Sequence, residues 1–164
     1  MITKQQFIDA VLEEIRIIKH LFGKIPVGKF DYKPTEKQRT TLELLRYLSV
    51  MGGLAVRGIR AGDSKIIMQE HGKPNTLNPE EFLAAMDKQA AEIKATISAM
   101  TDAELNEAID LWNDGTKEAR SLALLRLVLE AYVMYKMQLF LYIKASGNTA
   151  IGTSNLWSGE DGGY

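Results

Sequence analysis

The segment LVLEAYVMYKMQLFLYIKASG, residues 127 to 147, carries three phenols and an amide on an otherwise apolar helical pattern. A phenol can donate a hydrogen bond or a proton, but a neighbouring cation is needed before it ionises near neutral pH. Positions 124, 128, 131, 135, 138 and 142 step by three and four, so Leu124, Val128, Ala131, Tyr135, Gln138 and Tyr142 share one stripe. A buried glutamine on that stripe needs hydrogen-bond partners, and Tyr135 is one turn away. Two readings stand: a Tyr–Gln pair that fixes helix register, or a polar spot on a pocket wall between helices.

Other residues that could do chemistry are few. The chain has 2 histidines and no cysteine, which removes disulfides, thiolate metal ligands and a thiol nucleophile together. His20 stands beside Lys19 at a helix end, where a cation suits the helix dipole, and His71 falls in the loop-like QEHGKPN. Neither has a histidine or carboxylate three or four residues on, so both read as surface histidines. The chain also lacks a G-x-S-x-G elbow, a phosphate-binding loop, a dinucleotide fingerprint and an inward Glu-x-x-His pair.

The elements that must position these residues are helices. Phe7, Val11, Ile15, Ile18 and Phe22 mark the first, over roughly 3 to 22, opened by a Thr3/Gln6 capping box. Thr40 and Glu43 open the second, near 41 to 58, with Gly52–Gly53 inside it as a kink, a close helix contact or room for a ligand. NPEEF opens the third, with Asn78 as cap, Pro79 in the first turn and Glu81 closing the box. The fourth runs from near Ser121 to Ser146, and Gly147 stops it. Asn113–Asp114–Gly115 signals a turn, with a short extended piece or hairpin around it.

No period-two alternation is sustained, so the expected fold is all-α: one domain, residues 1–164, built as a four-helix bundle. The connection over 59 to 78 is long enough for a crossover that sets the second and third helices parallel. In the tail, about 148–164, Ile151, Leu156 and Trp157 are too apolar to float free, so docking on the bundle or on a second copy is expected, with fraying at the last residues. Twenty basic residues against 21 acidic ones disfavour a nucleic-acid partner. No run reaches membrane-spanning length, and Asp9, Glu13 and Glu14 interrupt any signal-peptide core, so a soluble, cytoplasmic protein is expected.

The stretch IPVGKFDYKPTEKQRTTLELLRYLS resembles the loop and second helix of the DinB-like (DNA-damage-inducible B, YfiT-like) superfamily, on Ile25, Pro26, Phe30, Asp31, Tyr32, Pro34, Glu43 and Leu44. YKMQLFLYIKASG is similar to that family's closing motif. The resemblance implies a four-helix bundle with an uncommon crossover, often assembled as a homodimer. It further implies a divalent ion such as nickel or zinc held by three histidines, and in some members thiol-dependent transferase or isomerase activity. Carried across residue by residue, the three ligand positions are Tyr47, Ala131 and Tyr135.

A neutral phenol is a poor ligand for nickel or zinc, and a methyl group is none. No metal or other cofactor is therefore expected. The resulting expectation is a metal-free DinB-like domain that binds a small molecule or pairs with a second copy, and is not an enzyme. Tyr47, Ala131 and Tyr135 would mark a pocket, with Gln138, Tyr132 and Tyr142 lining it and Arg46 at the surface or an interface. The alternative is a metal-dependent or thiol-dependent transferase or hydrolase using a pocket between the second and fourth helices.

Overall fold

The computed structural model describes residues 2–71 and 74–162, with the side chains of Glu70 and His71 outside that description. In chain order the elements are α1 (Lys4–Phe22), α2 (Thr41–Ala61), α3 (Ser64–His71), α4 (Phe82–Ser98), α5 (Asp102–Asn106), β1 (Ala108–Ile109), β2 (Glu118–Ala119), α6 (Arg120–Leu124), α7 (Glu130–Ala145) and α8 (Thr153–Trp157). The expected all-α fold is what the chain adopts.

The helix starts follow local chemistry. Reciprocal capping boxes form at Thr3/Gln6, Thr40/Glu43 and Thr101/Glu104, each satisfying N–H groups that a first turn leaves free. At Asn78 the Glu81 carboxylate accepts from the Asn78 N–H at 2.8 Å, and Pro79–Glu81 form one 3-10 turn ahead of α4. The loop before α2 also serves its first turn: the Phe30 and Tyr32 carbonyls accept from the Leu42 and Thr41 N–H groups, each at 2.8 Å. Gly62, at φ 68, ends α2 in the left-handed conformation that glycine adopts without strain.

The long helices close a ring in which α1 touches α4 and α7, and α2 touches the same two. Their directions follow from paired residues. Lys4 meets Met100 and Lys19 meets Asp87, so α1 and α4 are antiparallel. Gln89 bonds Leu48 and Gly53, and Glu92 pairs with Arg57, so α2 and α4 run parallel across the crossover. Tyr135 meets Tyr47, and Tyr142 reaches back to Arg39, so α7 is antiparallel to α2. The core runs through the ring and includes Ile18, Leu21, Leu45, Leu48, Phe82 and Ile143.

Two expectations, about the crossover connection and the tail, change. The 59–78 connection is not all loop, because α3 folds inside it and ends at His71, whose side chain lies outside the described residues. Gly58 explains the docking of α3: a methyl there would meet the Ile67 Cγ1 at 2.6 Å, so only glycine lets Ile67 seat on the α2 backbone. In the tail, Ile151 and Leu156 are buried but Trp157 is 73% exposed, because consecutive helical residues diverge by about 100° and α8 can bury only one of the pair. Residues 163–164, where fraying is expected, lie outside the described residues.

His20 is not a free surface group. Its Nε2 lies 3.0 Å from Asn155 Nδ2, which also donates to Asp161 at 2.9 Å, while Lys24 pairs with Asp161 at 2.6 Å. An amide nitrogen only donates, so His20 accepts in its neutral form. Burial, then Lys24, holds its pKa below the ordinary histidine value. The histidine thus helps fasten the tail. The expected hairpin is present as β1 paired antiparallel to β2, with Asn113 at φ 55 and Gly115 at φ 88 in its turn.

Candidate functional site

The approach to α7 contains a π-helical stretch, Leu125–Leu129. An extra residue within a turn rotates the downstream residues by about 100° relative to an unbroken α-helix. The buried side of α7 is therefore Tyr132, Lys136, Leu139, Phe140, Tyr142 and Ile143, while Ala131, Tyr135 and Gln138 stand half-buried at its edge. Sequence spacing alone does not register that offset.

Tyr47 on α2 and Tyr135 on α7 meet with ring centroids 4.8 Å apart at 62°, an edge-to-face arrangement favoured by opposed ring charge distributions. The Arg39 guanidinium sits 4.4 Å from the Tyr47 ring centroid. Burial first, then hydrogen bonding to Tyr135 and its proximity, push the Tyr47 phenol up to about 12, with Arg39 opposing. Tyr47 is thus a neutral phenol at physiological pH. Ala131 stands one turn before Tyr135 and offers only a methyl group.

The expected Gln138–Tyr135 bond is replaced by another. Gln138 Nε2 donates 2.8 Å to the Tyr142 hydroxyl, which in turn donates 3.1 Å to the Arg39 carbonyl. Tyr142 also packs edge-on against Tyr32, at 5.7 Å and 82°. The amide and phenol therefore anchor the chain entering α2, and so hold Arg39 over Tyr47. This is the register-fixing role, with Tyr142 in place of Tyr135.

Tyr132 does not line a pocket either. It is fully buried, and a methyl group on Gly52 would overlap its hydroxyl and lie 2.7 Å from ring carbon Cζ. Its hydroxyl has no hydrogen-bond partner among the described residues, and burial, with Glu92 adding to it, holds the phenol far above its ordinary range. Gly52 therefore serves packing.

The open space lies on the other flank of α2. A cleft of ≈ 1090 Å³ runs between α2 and α4 and is walled by residues 74–77. Arg39 and Tyr47 stand at its edge; Ala131 and Tyr135 do not line it. Arg46, expected at a surface or interface, is half-buried here and donates from Nε to the Leu77 carbonyl at 2.9 Å. Asn75 Nδ2 donates 2.8 Å back to the Arg46 carbonyl, so wall and helix hold each other. Gln89, absent from the sequence-based candidates, is buried and grips α2 by donating to the Leu48 carbonyl at 2.8 Å and accepting from the Gly53 N–H at 3.0 Å. Its place between Met86 and Ile93 on an apolar stripe was the available signal.

Among the described residues no group of three or more histidines, cysteines or carboxylates could hold a metal ion. The two phenols and a methyl at Tyr47, Tyr135 and Ala131 do not fit a divalent ion on the chemistry of their donors.

A four-helix ring with a parallel crossover and an antiparallel closing helix is the DinB-like fold, and the chain has it. A solved structure of a DinB-like protein, YjoA from Bacillus subtilis, superposes with a TM-score of 0.72 at 22% identity, covering 90% of this chain and 96% of that one. By sequence the chain is 22% identical over 151 residues to the Bacillus subtilis (strain 168) protein YjoA, described as uncharacterized, covering 92% of this chain and 96% of the relative. No family model matches. No helix among the described residues is long and apolar enough to cross a membrane.

Proposed function

We propose that this chain is a metal-independent, non-catalytic DinB-like module that works as a pair of identical copies joined through the solvent face of α7. The observation that carries the reading is the pattern on that face. Glu130, Val133, Met137, Leu141 and Lys144 fall within about 40° of one line along the helix. Val133, Met137 and Leu141 are exposed, as is the flanking Met134 at 60%.

The pattern is self-complementary. A two-fold axis at Met137 with antiparallel α7 helices sets Val133 against Leu141 of the other copy, Met137 against itself, and Glu130 against Lys144. Opposite charges at both ends of an apolar stripe favour that register over others. Tyr47 supports the non-catalytic part, since a phenol pushed up to about 12 neither binds a divalent ion well nor exchanges protons at neutral pH.

Light scattering on the full chain tests the pairing: the expected mass is twice 18.3 kDa, falling to a single chain on Met137→Glu. A monomer at micromolar concentration, or a Met137→Glu variant that still pairs, overturns it. Elemental analysis of protein purified without chelators tests the metal-free part. Stoichiometric nickel or zinc overturns that.

A further inference from the structure

The cleft between α2 and α4 carries a charge pattern that the pairing face does not explain. Arg39, Arg46, Arg57 and Lys88 line it, against Glu43 and Glu92. Arg57 is neutralised by its ion pair with Glu92. The Glu43 carboxylate is committed to the Thr40 N–H at 2.7 Å, and that bond holds its pKa below the usual glutamate range. Glu43 therefore stays ionised and its charge acts on Arg46. The lining keeps a surplus of two positive charges, four cations against two carboxylates, and Arg39, Arg46 and Lys88 form no ion pair among the described residues.

Their setting is fixed in place. Arg46 uses Nε on the Leu77 carbonyl, and its two terminal nitrogens have no acceptor among the described residues. The Arg39 guanidinium carbon lies over the Tyr47 ring, 4.4 Å from its centroid, and the Arg39 carbonyl is tied by Tyr142. The lining also carries apolar side chains, Val50, Leu54 and Met68, among polar ones such as Ser49 and Asn75. A guanidinium presents a planar fork that suits anionic oxygens, and a methionine adapts to varied apolar shapes.

We propose that the α2–α4 cleft binds an amphipathic organic anion, its anionic head taken by Arg46 and Arg39 and its apolar body lying along Val50, Leu54 and Met68. A carboxylate and a phosphate share the chemistry that the two arginines recognise. The site is separate from the α7 face, so pairing and ligand binding are independent.

Calorimetry on the full-length chain tests this with four eight-carbon probes: octanoate, octyl phosphate, octylamine and octanol. At least one anion is expected to bind once per chain, more weakly at higher salt, at least tenfold more tightly than octanol, and with no binding of octylamine. The tighter of the two anions identifies the head group. Arg46→Gln is expected to weaken the anion at least tenfold. Val50→Asp, which leaves the Arg46–Leu77 bond in place, should do the same by setting a carboxylate in the cleft, and it decides the matter if Arg46→Gln does not fold. Failure of both anions to bind at millimolar concentration, equal binding of octylamine or octanol, or parent-like binding by Val50→Asp overturns the proposal. A monomeric Met137→Glu variant that still binds the anion separates this result from the pairing test.

Discussion

α2 presents one flank to α7 and the other to α4, and the adjacent glycines Gly52 and Gly53 each serve one of them. Towards α7 the space is filled: Tyr132 presses its ring onto Gly52, and Tyr47 meets Tyr135 edge-on. Towards α4 the contact is polar and incomplete. Gln89 grips the backbone at Gly53, Arg57 pairs with Glu92, and a cleft stays open beside them. An aromatic ring against a bare backbone excludes everything else. An amide that hydrogen-bonds the backbone holds a helix in place without filling the volume next to it. The flank where the resemblance places a metal is therefore the closed one, and the flank with room is the one carrying unpaired cations.

Substitutions at the two glycines test that contrast most sharply. Gly52→Ala drives a methyl into the buried Tyr132 ring and is expected to cost about 3 kcal/mol, outweighing the gain of about 1 kcal/mol from alanine's helix propensity. Gly53→Ala meets only the end of the Glu92 side chain, at 3.0 Å, and should stay within about 1 kcal/mol of the parent. Urea unfolding of both measures the difference. Equal effects would mean that the two flanks are packed alike.

Gln89→Leu comes next. It removes two buried hydrogen bonds to α2 and is expected to cost about 1–2 kcal/mol in the same assay. A neutral result would show that shape, and not the amide, holds α4. Tyr132→Phe is smaller and of opposite sign. Deleting a buried hydroxyl that has no partner should be neutral or stabilise by up to about 1 kcal/mol. A marked loss would reveal a partner for that hydroxyl.

The weakest effect is the pH dependence of the Tyr47–Tyr135 contact. The folded Tyr47 pKa of about 12 lies above the ordinary value near 10, so the unfolded chain releases its proton first as pH rises. The stability that this contact contributes is whole below pH ~10 and declines through the interval up to ~12. Ultraviolet titration of tyrosinate in parent and Tyr47→Phe checks it. Removal of a signal near pH 10, in place of one near 12, would place Tyr47 in solvent and open the closed flank.

Much of the fold was legible because helix boundaries are local. Thr3 with Gln6 and Thr40 with Glu43 needed only a three-residue spacing to be read. The crossover was legible from loop length, although α3 within it was hidden, since its docking depends on Gly58 meeting Ile67 across the chain. The candidate site was less legible. Tyr47 and Tyr135 do meet, and Gln138 and Tyr142 share a face as even spacing implies. The π-helical stretch, however, turns α7 as a whole relative to the residues before it, so spacing did not show that Tyr132 and Tyr142 are buried while Tyr135 and Gln138 stand at the edge. Arg46 and Gln89 gained their roles from a wall 31 residues away and a helix 36 residues away.

The amino-acid sequence by itself determined the helices, their caps, the glycine pair and the absence of imidazole or carboxylate from the Tyr47, Ala131 and Tyr135 positions. Those follow from residue type and near-neighbour spacing. Tertiary structure alone decided which flank of α2 is sealed and which is open, which phenol finds a partner, and which cations remain unpaired. Such outcomes depend on helix rotation and on distant side chains arriving at one place, and neither is written in local periodicity.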